Sequence, residues 1–102
     1  MRLEFRIELE QIETPRFAVE AGEGVGKLFT LAALVLNVLD TKQRVEVVFH
    51  GLNPEDPERK ITSFREILTS CSDAPSLVFE EGRSGRVAGS SSSFRWLVVR
   101  RA

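Results

Sequence analysis

The stretch that decides the fold is KLFTLAALVLNVLD, residues 27–40, the most apolar run in the chain. With residues placed 100° apart, every polar side chain of this run falls inside an arc of roughly 140°, and apolar residues fill the remaining arc of roughly 220°. The narrow arc contains Lys27, Thr30, Ala33, Leu34, Asn37, Asp40 and Thr41. Leu and Ala dominate the run and both favour helix. The period therefore predicts a helix.

The apolar arc is wider than the stripe of about 100° that a surface helix normally buries. It contains Leu28, Phe29, Leu31, Ala32, Val35, Leu36, Val38 and Leu39. One face of a sheet cannot cover so wide an arc, so we expect the helix to contact a second helix or a copy of itself in another chain. The run is shorter than the about 20 apolar residues that span a bilayer, and we expect no membrane partner.

The chain before this helix predicts two strands. Residues 2–12, RLEFRIELEQI, carry apolar side chains at the odd positions from 3 to 9 and charged ones between them, which is typical of a half-buried strand. Pro15 indicates a turn at residues 13–16. Phe17 and Val19 predict a shorter strand hairpinned to the first, and the glycine-rich residues 21–26 lead into the helix.

Three more strands and a second helix are predicted after the central run. Residues 44–50, RVEVVFH, are rich in β-branched side chains, as strands are. Apolar residues recur at helical spacing from Ile61 to Cys71, with Ser63 and Glu66 in capping-box register. Residues 77–79 and 94–99 predict two strands. The Gly-, Ser- and Arg-rich residues 82–93 between them predict a flexible loop.

These elements predict one α+β domain over residues 1–102, in the order ββαβαββ. We expect a two-layer architecture, with a mixed, mostly antiparallel sheet of about five strands and both helices on one face, because connections are short and crossovers right-handed. The alternating charges of the first strand indicate a second sheet face that meets water.

Composition narrows the classes of partner. The net charge is −1, so no overall field calls for nucleic acid or an anionic membrane. The charge is uneven, however, because residues 82–102 hold five Arg and no acid. The single cysteine, Cys71, cannot form an internal disulfide, which fits a reducing compartment and predicts a cytoplasmic protein.

The glycine-rich turn before the central helix is the first candidate site. Gly26-Lys27 matches the end of a P-loop, but the first glycine of that motif is replaced by Ala21 and its hydroxyl residue by Leu28. A less specific hypothesis than a P-loop is an anion or small-ligand site, for a phosphate- or nucleotide-like ligand, at the free N–H groups of the helix start. Its residues are Gly24, Gly26 and Lys27, with Arg83 and Arg86 folding over as a lid.

The basic end of the chain is the second candidate. Arg95, Arg100 and Arg101 flank the last strand and predict a possible contact with nucleic acid. Aromatic residues on a sheet can stack bases. In a domain of this size, however, we expect Phe94, Trp96 and Val98 to form the core face of that strand.

Catalytic and metal sites find little support. His50 and Cys71 are 21 positions apart with no clustered carboxylates, so no metal site, cofactor or catalytic residue is predicted. The helix followed by VEVVFHG, residues 45–51, is similar to the helix-then-strand segment of the DsrE-like sulfur-relay proteins, and that likeness would imply Cys71 as a sulfur carrier. A hairpin opens this chain, however, and the residues after Gly51 do not follow that family.

The sequence therefore favours a non-enzymatic protein-interaction or assembly module that associates with itself, since the central helix needs cover on more than one side. The alternatives are the anion or small-ligand binder at the glycine-rich turn and the nucleic-acid contact at the basic end.

Overall fold

The computed structural model describes residues 2–7, 13–22, 26–71, 76–86 and 92–102. The elements follow one another as β1 (Arg2–Ile7), β2 (Glu13–Val19), α1 (Gly26–Leu39), β3 (Arg44–Gly51), α2 (Glu55–Ser70), β4 (Leu77–Arg86) and β5 (Ser93–Arg101). The predicted α+β class, with a mixed sheet and two helices, is confirmed. The elements differ in detail from those predicted, and the differences concern their bounds and faces.

The strands form one sheet in the order β1-β2-β3-β5-β4. β2 and β3 are parallel, and the other three neighbouring pairs are antiparallel. Because β3 and β4 are both antiparallel to β5, they run in the same direction. The carboxyl termini of β2, β3 and β4 thus lie at the same end of the sheet, which we call the carboxyl end. Both helices begin there, since short connections lead from β2 to α1 and from β3 to α2.

The core lies between the two helices and one face of the sheet. α1 buries Leu31 and Val35 completely, and α2 buries Phe64 completely. The ring of Phe64 packs at 5.6 Å from that of Phe49 on β3, centroid to centroid. The same cluster includes Phe17, Val19, Leu28, Ala32, Leu39, Val45, Val47, Ile61, Leu68, Leu97 and Val99. The hydrophobic effect on these side chains is what holds the two layers together.

The face of β5 that packs against the core is not the predicted one but the opposite one. Leu97 and Val99 are fully buried, and Leu97 pairs with the core residue Val47 of β3. Phe94, Trp96 and Val98, the predicted core face, are half-buried on the other side. That prediction is wrong because both faces of β5 are apolar, so the period of two cannot say which one meets the helices.

β2 includes the proline that was predicted to form a turn. Pro15 is opposite Phe5 of β1, and the parallel ladder to β3 starts only at Arg16. A proline cannot donate to a strand ladder. It is tolerated here because this part of β2 is paired with β1 alone.

α2 starts at Glu55, well before the predicted capping box at Ser63. Asn53 supplies the cap, since its Oδ1 accepts from the N–H groups of Glu55 (3.0 Å) and Asp56 (3.1 Å). Pro57 lies in the first turn of the helix, where the N–H that proline lacks would have no intrahelical acceptor.

β4 is longer than the sequence predicts. It continues through Arg86, and Ser93 already belongs to β5, so residues 82–86 of the predicted flexible loop form a strand. Residues 87–91 lie outside the described residues. A bulge interrupts the ladder with β5 between Glu81 and Ser84.

Candidate functional site

The predicted anion-binding residues lie in two separate places. Gly26 and Lys27 are exposed at the start of α1, and Gly24 falls outside the described residues. Arg83 and Arg86 lie on β4, three strands away from β2 in the sheet, a separation of about 14 Å at the usual strand spacing. The predicted lid residues are therefore part of a strand on the far side of the sheet from the glycine-rich turn.

Lys60 organises the turn after β2. Its Nζ donates to the carbonyl oxygens of Glu20 (3.2 Å), Ala21 (3.1 Å) and His50 (3.0 Å). Because an ammonium group carries three donors, these bonds employ all of them and tie α2 to the carboxyl ends of β2 and β3. Sequence reasoning missed Lys60, since backbone carbonyl partners leave no residue pattern to read.

The three arginines predicted to contact nucleic acid are all engaged within the chain. The ion pairs join Arg95 to Glu81 (3.6 Å) and Glu58 (3.9 Å), Arg100 to Glu80 (2.8 Å), and Arg101 to Asp40 (3.1 Å). Arg101 also donates from Nε to the carbonyl oxygen of Leu39 (2.6 Å). α1 has no basic residue in its last turn, so Arg101 supplies the cation that a helix C-terminus favours.

The sheet face away from the helices carries a polar cluster around Trp96. The guanidinium of Arg16 lies 4.3 Å from the Trp96 ring centroid. Glu46 is only 3% exposed and lies 3.1 Å from Arg44 and 3.6 Å from Arg16. A carboxylate this buried must be paired to be tolerated. Since Arg16 covers one face of the indole, this cluster is less suited to stacking nucleic-acid bases than a bare aromatic platform.

A cavity of about 360 Å³ opens between the start of α2, the end of β4 and the start of β5. It is lined by Pro54, Pro57, Glu58, Ser84, Gly85, Arg86, Ser93, Phe94 and Arg95. The register of the two strands places Arg86 opposite Ser93 and Ser84 opposite Arg95. The pairing of β4 with β5 thus brings together two arginines that the sequence assigned to different hypotheses.

A glycine at position 51 shapes this cavity. A Cβ on Gly51 would lie 2.5 Å from side-chain atoms of Asp56 and Pro57, so only glycine lets α2 begin directly against β3. On the sheet face away from α2, a Cβ on Gly85 would lie 3.2 Å from the ring of Phe94. Ser93 Oγ donates to the carbonyl oxygen of Asn53 (2.7 Å) and fixes the cavity's inner wall.

α1 leaves apolar side chains in contact with water. Among the described residues, the exposed large hydrophobic ones are Phe29 (64%), Leu34 (38%) and Leu52 (63%), and two of them lie on this helix. The exposed residues between 28 and 39 are Phe29, Thr30, Ala33, Leu34 and Asn37. We call these five the neutral side of α1, because none of them is charged.

Within the residues that the structure describes, the apolar arc of α1 is thus only partly covered. The predicted burial holds for Leu28, Leu31, Ala32, Val35 and Leu39. Phe29 was predicted to belong to the same arc and is exposed instead, while Leu36 and Val38 are half-buried at its margins. The sheet and α2 cover the centre of the arc and stop short of Phe29.

The reactive side chains lie apart from these features. Cys71 is half-buried at the end of α2, where its Sγ donates to the carbonyl oxygen of Ile67 (3.3 Å). His50 is half-buried on β3. Across the described ranges, no group of three His, Cys, Asp or Glu side chains is arranged to hold a metal ion. Neither helix of that part of the chain has the length and apolar character to span a bilayer.

No family model, curated protein or solved structure matches this chain.

Proposed function

We propose that the protein is a non-enzymatic interaction module that pairs with a second copy of itself through the neutral side of α1. The observation that carries the proposal is a water-facing helix side that, between residues 28 and 39, has an exposed phenylalanine and leucine and no charged residue. Exposed positions on a surface helix normally carry charged or polar residues unless they contact a partner.

A second copy suits this surface for two reasons. The neutral side offers no charge that a partner of opposite charge would recognise, and the net charge of −1 gives two copies little repulsion. In an antiparallel pairing of two α1 helices about Ala33, the dyad places Phe29 of one copy opposite Asn37 of the other. The small side chain at the centre lets the helix axes approach to about 8–10 Å.

The expected dimer is weak. Full burial of a Phe or Leu side chain contributes about 1.5–3 kcal/mol, and Phe29 and Leu34 are already partly covered. Both residues in both copies then contribute roughly 3–6 kcal/mol, against an association cost of roughly 4–15 kcal/mol. Contacts from neighbouring residues must supply the rest. We expect a dissociation constant above about 1 µM.

Of the two edge strands of the sheet, β1 and β4, the second is a poorer surface for self-association than α1. β4 presents Glu80, Glu81, Arg83 and Arg86 and is bent by the bulge after Glu81. Charges and bulges on an edge strand oppose pairing with another sheet. α1 is therefore favoured over β4 as the contact.

The proposal assigns the protein neither an enzymatic activity nor a nucleic-acid partner. The ion pairs of Arg100 with Glu80 and of Arg101 with Asp40 support this choice, since phosphate would have to compete with them. The proposed location is cytoplasmic, because Cys71 has no second cysteine with which to form an internal disulfide.

Sedimentation of the full chain between about 1 µM and 1 mM, a range that starts at the lower limit of the expected dissociation constant, tests the proposal. We expect a monomer–dimer equilibrium that Phe29→Lys abolishes while the folded circular-dichroism spectrum is kept. Thr62→Lys, on the exposed side of α2, is the matched control and should leave the dimer intact. A wild-type protein that stays monomeric throughout this range contradicts the proposal.

A further inference from the structure

We infer that the cavity between α2, β4 and β5 binds a small organic anion, a single carboxylate or phosphate ester on an apolar body. Its volume of about 360 Å³ lies at the lower end of the range for ligand pockets, roughly 300–1,000 Å³. It is lined by different residues from the neutral side of α1, so the inference does not depend on self-association.

The apolar part of such a ligand has a defined wall to lie against. Pro54 and Pro57 line the cavity on the α2 side. Of these two, Pro57 is buried and Pro54 is exposed. Proline presents a rigid apolar surface that loses little conformational freedom when a ligand packs on it.

The anionic part has two guanidinium groups to bind. Arg95 lies 3.6 Å from Glu81 and 3.9 Å from Glu58, beyond the about 3.2 Å limit for a good N–H···O bond. Within the part of the chain that the structure describes, Arg86 has no ion pair. Guanidinium groups bind carboxylate and phosphate oxygens through paired N–H donors, so the two arginines favour an anion in the same cavity.

Glu58 lowers the positive charge of the cavity. Its side chain is 67% exposed, and its carboxylate lies beside Arg95 at the cavity wall. A negative charge at that position opposes an anionic ligand and competes with it for Arg95. The ligand class that fits is therefore an anion whose apolar body supplies much of the affinity.

The test is an amide NMR titration of the full chain with benzoate and phenyl phosphate as probes. We expect saturable shifts at residues 84–86 and 93–95 with at least one probe, and its identity distinguishes carboxylate from phosphate. Acetate carries the anionic group without the ring, and benzyl alcohol carries the ring without the anionic group. Each should bind at least about fivefold more weakly than the better probe. The absence of saturable shifts with both probes overturns the inference.

Three exposed positions make the test specific. Arg86→Gln should weaken binding of the better probe about tenfold. Glu58→Gln, which removes the competing carboxylate, should strengthen it about two- to fivefold. Arg83→Gln makes the same change of charge on the same strand outside the cavity lining and should leave the affinity unchanged. If Arg83→Gln and Arg86→Gln weaken binding of the probe equally, the proposed site is contradicted. It is also contradicted if the Glu58→Gln protein binds the probe more weakly than wild type.

Discussion

The two helices lie side by side on the same face of one sheet, yet they present different surfaces to water. The exposed residues of α2 include Glu55, Glu58, Arg59, Arg65 and Glu66, so its outer side is charged along its length. The neutral side of α1 holds an exposed phenylalanine and leucine instead. Because both helices bury their inner sides equally well, the fold itself does not require this difference. The outer side of α1 is where a partner is expected.

The largest effects should come from the inner sides, where the two helices are alike. Val35 on α1 and Phe64 on α2 are both fully buried. Val35→Asp places an unpaired carboxylate in the core and should leave no folded protein. Phe64→Ala should lower the free energy of unfolding by about 3–5 kcal/mol. Urea denaturation measures both. A folded Val35→Asp protein of near wild-type stability would mean that α1 has been placed with the wrong side inward.

An effect of intermediate size on stability should distinguish substitution of the lysine on α2 from substitution of the lysine on α1. Lys60→Met on α2 removes the donors to the carbonyls of Glu20, Ala21 and His50 and should cost about 1–3 kcal/mol. Lys27→Met on α1 changes an exposed side chain and should stay within about 0.5 kcal/mol. Thermal melts of the two variants provide the comparison. Equal costs would show that the Lys60 contacts contribute nothing beyond an ordinary surface charge.

The smallest effect on stability should come from the neutral side of α1. Asn37 is exposed, so Asn37→Ala should change the free energy of unfolding of the monomer by less than about 0.5 kcal/mol. Chemical denaturation at low micromolar concentration, where the dimer is dissociated, measures this. A cost of several kcal/mol would show that the outer side of α1 is covered by its own chain.

The fold was predictable where one face of an element is polar. The polar arc of α1 fixed its rotation, and Lys27, Thr30, Ala33, Leu34 and Asn37 are indeed exposed. The exposure of Phe29 was not predictable, because a helical wheel does not show how far the neighbouring sheet and helix reach. The prediction for β5 is wrong for a similar reason, since Trp96 and Leu97 are both apolar and the packing of the sheet decides which one meets the helices.

The candidate sites were less predictable than the fold. Arg86 and Arg95 line the same cavity because β4 extends through a glycine- and serine-rich stretch whose composition is typical of a loop. The start of α2 depends on Asn53 and on a glycine at position 51 that α2 packs against. Such long-range contacts are set by tertiary packing, and no local pattern in the sequence signals them.

Disulfide trapping of the neutral side of α1 tests the central claim most directly. With helix axes about 8–10 Å apart, facing Cα atoms at a dyad lie about 4–5 Å from each other, close enough for a disulfide. In a Cys71→Ser background, the Ala33→Cys protein should form a covalent dimer on mild oxidation much faster than a Thr62→Cys control on α2. Equal and slow cross-linking of the two variants would contradict pairing through α1.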